Sequence, residues 1–336
     1  MKGIPTFDVE AVHSFIITSM INKKIMVPYL KKTSSRYYPA LIGGVCVTRC
    51  AALIPRARKL IGALYSNDID IKWMIISHVV GLDDEVVGRA HKARWKFLAG
   101  LLGDAKMEKV LREAERMVPS EGVKVRLEIK DSTNSEFEGI RKSMRVSMRC
   151  VYKWKEGGVD KEFAKDLVDT GVYSDYGKEM YLNYKTYISP GSKLPVPVHT
   201  FKGLPFATCE WTYFETVGML IKFGEGYHAA VEKGDKKEIK LNFLKYLKYL
   251  AKFSVLYVMM NKLKSKDATY LKIKELYGDV QKVLASINIK KELEESPQVM
   301  TPERNFMKML LEEMRGRTNM TRLEAAFKNG LKDVQL

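Results

Sequence analysis

The residues of this chain best suited to chemistry are its cations, which recur at spacings that a helix or strand gathers onto one face. Lys245, Lys248 and Lys252 lie three and seven apart, one side of a helix, with Tyr246 and Tyr249 among them. Arg89, Lys92 and Lys96 repeat that geometry beside Trp95, and Arg56, Arg58 and Lys59 form a third group. A fourth, Arg145, Arg149, Lys153 and Lys155, has the even spacing of a strand face. Cations neutralise phosphates and rings offer stacking platforms, the combination a sequence-tolerant single-strand binder needs.

Other chemistries are poorly supplied. Cys46 and Cys50 fall one helical turn apart, but no second ligand pair lies nearby, and His13, His78, His91, His199 and His228 are scattered, so no metal site is expected. The doublet Gly43-Gly44 is not followed by Gly-Lys-Ser/Thr, and Gly224-Glu225-Gly226 lacks the third glycine of a dinucleotide fingerprint. No Gly-x-Ser-x-Gly elbow is present. The expectation is no cofactor and no assigned catalytic residue. One alternative is kept open. Glu128 and Lys130 point to the same side of a strand and resemble the Glu-x-Lys half-motif of metal-dependent, restriction-type nucleases, a resemblance that covers three residues. That arrangement needs a further acid on a preceding, adjacent strand, and Lys106–Val118, which precedes it, reads as a helix.

The charge balance favours a polyanionic partner. With 57 Lys and Arg against 40 Asp and Glu, the 336 residues carry a net charge of +17, distributed through apolar-rich periodic segments. Nucleic acid is the first candidate and an anionic membrane surface the second. An apolar fraction of 46% excludes a disordered chain, and the longest apolar runs, such as Phe253–Met260, are too short to span a bilayer. The start MKGIPTFDVEAV shows no secretory leader, and four cysteines suggest a reducing, cytoplasmic setting.

The elements that must position these groups read as mostly helical. Residues 1–7 form an arm, and a helix starts near Asp8, with Val12, Phe15, Ile16 and Met20 on its stripe. Met26–Pro39 reads as a loop, residues 40–103 as helices, with Asp83, Asp84 and Glu85 in a first turn, and Lys106–Val118 as another helix. Val123–Lys130 and Ser143–Lys155 then alternate apolar and polar residues, predicting an antiparallel ribbon that buries Met144, Val146, Met148, Cys150, Tyr152 and Trp154. A short helix is predicted over Asp160–Asp169, an irregular connector over 171–205, and helices from Phe206 onward, including Leu241–Lys264 and a final helix opened by Thr321 and Glu324.

The sequence therefore predicts a mainly α fold: an N-terminal lobe over 8–170 with a small β-ribbon near 123–155, a C-terminal lobe over 206–316, and a terminal helix or arm over 317–336. Length, surplus charge and short terminal segments suit a nucleocapsid-type protein, of the broad class of negative-strand RNA virus nucleoproteins, though no motif ties it to any one family. The function expected is sequence-independent binding and encapsidation of single-stranded RNA in a basic inter-lobe groove. The partners are RNA and further copies of the chain, linked through residues 1–7 or 317–336. Besides the nuclease, a matrix or coat protein whose basic face meets membrane or a partner is the competing expectation.

Overall fold

Asp8 opens the first helix, its carboxylate accepting from the backbone N–H of Ala11 at 2.9 Å. Helix α1 (Val9–Asn22) then buries Val9, Val12, Ile16, Ile17 and Met20. The structure, a computed structural model, describes residues 7–32, 37–51, 68–75, 84–118, 122–133, 144–172 and 198–260. Arg56, Arg58, Lys59, the arm other than Phe7, and the predicted terminal helix lie outside them.

Two compact units divide the chain. Residues 1–45, 66–181 and 192–208 form the first, and 46–65, 182–191 and 209–336 the second. The first unit is built on a sheet, not on helices. Its strands are β1 (Tyr37–Ile42), β2 (Ile69–Ile75), β3 (Lys124–Thr133), β4 (Met144–Glu156), β5 (Val159–Val172), β6 (Val198–Phe201) and β7 (Leu204–Ala207). They lie in the order β3-β4-β5-β2-β1-β7-β6, with β5–β2 and β1–β7 parallel and the other pairs antiparallel. The mainly α expectation, with only a small ribbon, is thus overturned by a seven-stranded mixed sheet.

Five strands make the difference: β6 and β7 lie where an irregular connector over 171–205 and helices from Phe206 were expected, and β1, β2 and β5 were read as loop or helix. In β1 both faces are buried at Ala40, Leu41 and Ile42, so no alternation marks the strand. In β2 the alternation of Ile69, Ile71 and Trp73 with Asp70 and Lys72 is real but short, and the helical reading of residues 40–103 swallowed it. The predicted helix over 160–169 is the middle of β5. There Met148 pairs with Val168 and Arg149 with Asp166, so Leu167 is an extra residue, and Leu167 and Val168 are both buried. This bulge breaks the period of two, because Lys165 pairs with Cys150 and Val168 with Met148, a step of three on one face, as in a helix. Gly157 and Gly158, with φ of +57° and +78°, turn the ribbon back on itself and pair Glu156 with Val159. Within the segment read as a loop, a short helix α2 (Val27–Lys31) precedes β1.

The remaining helices of this unit are α4 (Asp84–Leu102) and α5 (Ala105–Arg116), after α3 (Gly44–Ala51), which crosses the division between units. Helices α1 and α4 cover one face of the sheet. His13 lies 2.9 Å from the Asp166 carbonyl through Nε2 and 2.7 Å from the Tyr152 hydroxyl through Nδ1. A carbonyl only accepts, so Nε2 donates to it, and in the neutral ring Nδ1 accepts from the phenol. Phe97 packs on Trp73 with ring centroids 5.3 Å apart. Val146, Met148, Cys150, Tyr152 and Trp154 are buried on this side, as the alternation predicts. Burial pushes the Cys150 thiol up to about 12, so it is an inert core residue.

The second unit contains a helical hairpin, α6 (Cys209–Lys233) and α7 (Lys236–Met260), where helices were expected, although Phe206 and Ala207 belong to β7 and the expected helix over Leu241–Lys264 starts earlier, at Lys236. Gly234, at φ +67°, makes the turn, and Asp235 caps α7 through the N–H groups of Lys237 and Glu238. Tyr213, Tyr227, Phe243, Tyr246 and Phe253 fill its core. A disulfide joins Cys50 to Cys209, while Cys46 and Cys150 are buried thiols. Among the described residues no helix is long and apolar enough to cross a membrane.

Candidate functional site

The basic ribbon is partly neutralised by its own sheet. Strand pairing sets Glu128 opposite Arg149 and Glu162 opposite Lys153. Arg149 donates to Glu128 through Nε and Nη2 at 3.2 and 3.0 Å, and Arg126 also reaches Glu128. Lys153 lies 3.2 Å from Glu162. Arg145 sits opposite Ser132. The same pairing weakens the nuclease alternative, because two guanidinium groups occupy the Glu128 carboxylate and the adjacent strand presents Arg149 where a second acid is needed.

The lysines of α7 share a side but not a depth. Lys245 is exposed, Lys248 half-buried, and Lys252 buried with its ammonium 4.9 Å from the Tyr249 ring centroid. Helix α4 divides its cations differently. Arg89, Lys92 and Lys96 are exposed, next to a Trp95 that is 43% exposed. Arg94 is fully buried and donates to the carbonyls of Ala90 and Thr170. Burial pulls its guanidinium down to about 10, against the opposing pull of Asp131 and Asp169. The exposed cations of α4 and the charged face of the ribbon fall on opposite sides of the sheet, so these two clusters do not line one groove.

A different constellation emerges on the sheet face away from α4. Strand β1 runs into α3 through the single residue Gly43, whose φ is +68°. A Cβ at Gly43 would lie 2.3 Å from Oδ2 of Asp70, so the absent side chain is what admits that carboxylate against the start of α3. Asp68, just before β2, shares the spacing of two with Asp70, and Asp70 is in register with Asp169 across the parallel β2–β5 pair. Lys72 completes the row. Its Nζ lies 2.6 Å from where a Cβ of Gly171 would stand, so this glycine too clears space for a charged group. All three aspartates are half-buried.

Asp70 and Asp169 thus stand side by side on neighbouring strands, and the charge of Asp169 also acts on the buried Arg94. Carboxylates are the ligands of Mg²⁺ and Mn²⁺, and the start of α3, whose dipole favours negative charge, has the Asp70 carboxylate against it. Among the described residues, no three His, Cys, Asp or Glu side chains converge tightly enough to hold a metal ion as they stand. Sequence reading missed these residues because Gly43-Gly44 was weighed only against phosphate-loop patterns and the helical reading of residues 40–103 hid the strand that carries Asp70. The available signal was Asp68-x-Asp70 in an alternating stretch, following a Gly-Gly that ends a short apolar run.

Comparison with protein-family models, curated proteins and solved structures returned no match.

Proposed function

We propose that this chain is a divalent-cation-dependent phosphoryl-transfer enzyme that works on single-stranded RNA, with a nucleoside triphosphate as donor. The observation that supports it is the register of Asp70 beside Asp169, with Asp70 seated over a glycine at the start of α3. In this reading Asp68, Asp70 and Asp169 would hold one or two divalent cations, which would supply Lewis-acid stabilisation of the charge that develops in phosphoryl transfer. The N-terminus of α3 and Lys72 receive the outer phosphates. A terminal RNA hydroxyl attacks the α-phosphorus, an O–P bond forms as the α–β bridging bond breaks, pyrophosphate leaves, and the hydroxyl proton passes to a carboxylate.

The test is extension of a short oligoribonucleotide with labelled nucleoside triphosphates and Mg²⁺ or Mn²⁺, read as product length and pyrophosphate release. Asp70→Asn and Asp169→Asn should each lower the rate by about 100-fold or more. Extension that ignores both substitutions would refute the reading.

A second reading keeps the RNA without the chemistry: encapsidation by a homo-oligomer, favoured by the +17 charge and the exposed cations of α4. It expects RNA-dependent oligomers by light scattering and no cation-dependent turnover.

A further inference from the structure

We infer that the outer face of α4 is a docking surface for single-stranded RNA, with Trp95 as a stacking platform and Lys92 and Lys96 as phosphate ligands. This deepens the reading above, from which it takes RNA as the polymer, but it concerns a surface on the far side of the sheet from the aspartates.

The geometry of α4 carries the inference. Ala90, Arg94, Phe97, Leu98 and Leu101 are buried, which fixes one side of the helix inward. At 100° per residue the opposite arc runs from Arg89 through Lys96, Lys92 and Ala99 to Trp95 and Leu102. Arg89, Lys92, Lys96 and Ala99 are exposed, and Trp95 and Leu102 remain 43% and 49% exposed. A large indole this open gains little from the core, and nothing about packing on the sheet requires it. From Gly88 to Leu102 the chain contains five cationic or imidazole side chains and no carboxylate. The two inward or sideward ones are accounted for: Arg94 donates to carbonyls, and His91 lies 3.2 Å from Asp131. Lys92 and Lys96 form no ion pair among the described residues.

Charge complementarity selects a polyanion for this arc, and the ring selects a kind of polyanion. One turn separates Lys92 from Lys96, about 6 Å along the axis. The indole lies to one side of that pair, so phosphates can run over the lysines while an unstacked base reaches the ring. Base-paired nucleic acid would hide its bases from Trp95, which favours a single strand. An anionic membrane would meet the same cations, but Trp95 and Leu102 make a narrow apolar edge beside a broader cationic one, less than an interfacial helix normally inserts.

The experiment measures binding of a fluorescein-labelled U₁₂ oligoribonucleotide to the full chain by anisotropy, in EDTA so that no cation chemistry contributes. Lys92→Ala with Lys96→Ala should make the slope of log affinity against log salt shallower by about 1.4, the share of two single-strand contacts. Trp95→Ala should weaken binding by roughly five- to a hundredfold, and Trp95→Phe should recover most of that loss. All these side chains are exposed, so the melting temperature should stay within a degree or two. EDTA withholds the cations that the aspartates would need, so failure of this surface is read separately from failure of the aspartate site. Unchanged affinity and slope in both α4 variants would overturn the inference. So would binding to phosphatidylserine vesicles that the α4 variants abolish while RNA binding persists.

Discussion

Gly43 and Gly171 both stand where a side chain would strike a charged group, yet they are unequal. A Cβ at Gly171 meets only the far end of Lys72, a flexible side chain that can swing aside. At Gly43 it meets the short carboxylate of Asp70, and the backbone is left-handed besides. Gly43→Ala should therefore cost about 1–2 kcal/mol in backbone strain alone and displace Asp70, abolishing cation-dependent turnover. Gly171→Ala should be close to neutral by denaturant titration. A second residue-scale prediction concerns Tyr29, whose hydroxyl donates to Asp104 at 2.7 Å while the same carboxylate caps α5 through Lys106 and Met107. Burial works to raise the Asp104 carboxyl, but the Tyr29 hydroxyl and the two N–H groups together hold it below its ordinary 3.8. Its stabilising share is thus present above about pH 4 and is lost as pH falls through the lower folded value. The phenol, through that hydrogen bond above all, is pushed up to about 12 from 10.0, so its share is present below pH 10 and lost as pH rises toward 12. Tyr29→Phe should cost about 1–2 kcal/mol at neutral pH and flatten both limbs of a stability–pH profile.

At the scale of elements, the ribbon β3–β4–β5 is held by a buried face and balanced by a paired one. Met148→Asp would place an uncompensated carboxylate among Val146, Cys150 and Val168 and should unfold the first unit, seen as loss of near-ultraviolet circular dichroism. Arg149→Ala removes the partner of Glu128, but Arg126 remains beside that half-exposed acid, so the cost should be below about 1 kcal/mol. The disulfide closes a separation of 159 residues between the end of α3 and the start of α6, and Cys50→Ser with Cys209→Ser should lower stability by about 2–5 kcal/mol. Legibility followed local signal at this scale. Asp8 with its apolar stripe, the alternation of β4 and the helical hairpin were readable because each is long and regular. Strands β1 and β2 were not, because one is buried on both faces and the other spans seven residues. The bulge at Leu167 disguised β5, since an inserted residue turns alternation into an apparent helical period. The aspartate site was lost with those strands, because a register between β2 and β5 is a long-range fact that spacing alone does not contain.

For the whole molecule, a surplus of 17 positive charges is a statement about partners rather than fold. Part of the surplus that looked concentrated is cancelled locally, as the ribbon shows, and what stays exposed on α4 is a smaller and more specific surface. The account then rests on one centre, where Asp70, Asp169, Lys72 and the glycine-opened start of α3 are gathered on one face of the sheet. The most direct measurement is Mn²⁺ binding to the intact chain by electron paramagnetic resonance, with a non-hydrolysable nucleoside triphosphate present, compared with Asp70→Asn and Asp169→Asn. The account predicts protein-bound Mn²⁺ in the unaltered chain and at least a tenfold weaker signal-derived affinity in each variant, both of which remain folded. Equal Mn²⁺ affinity in all three proteins would contradict it.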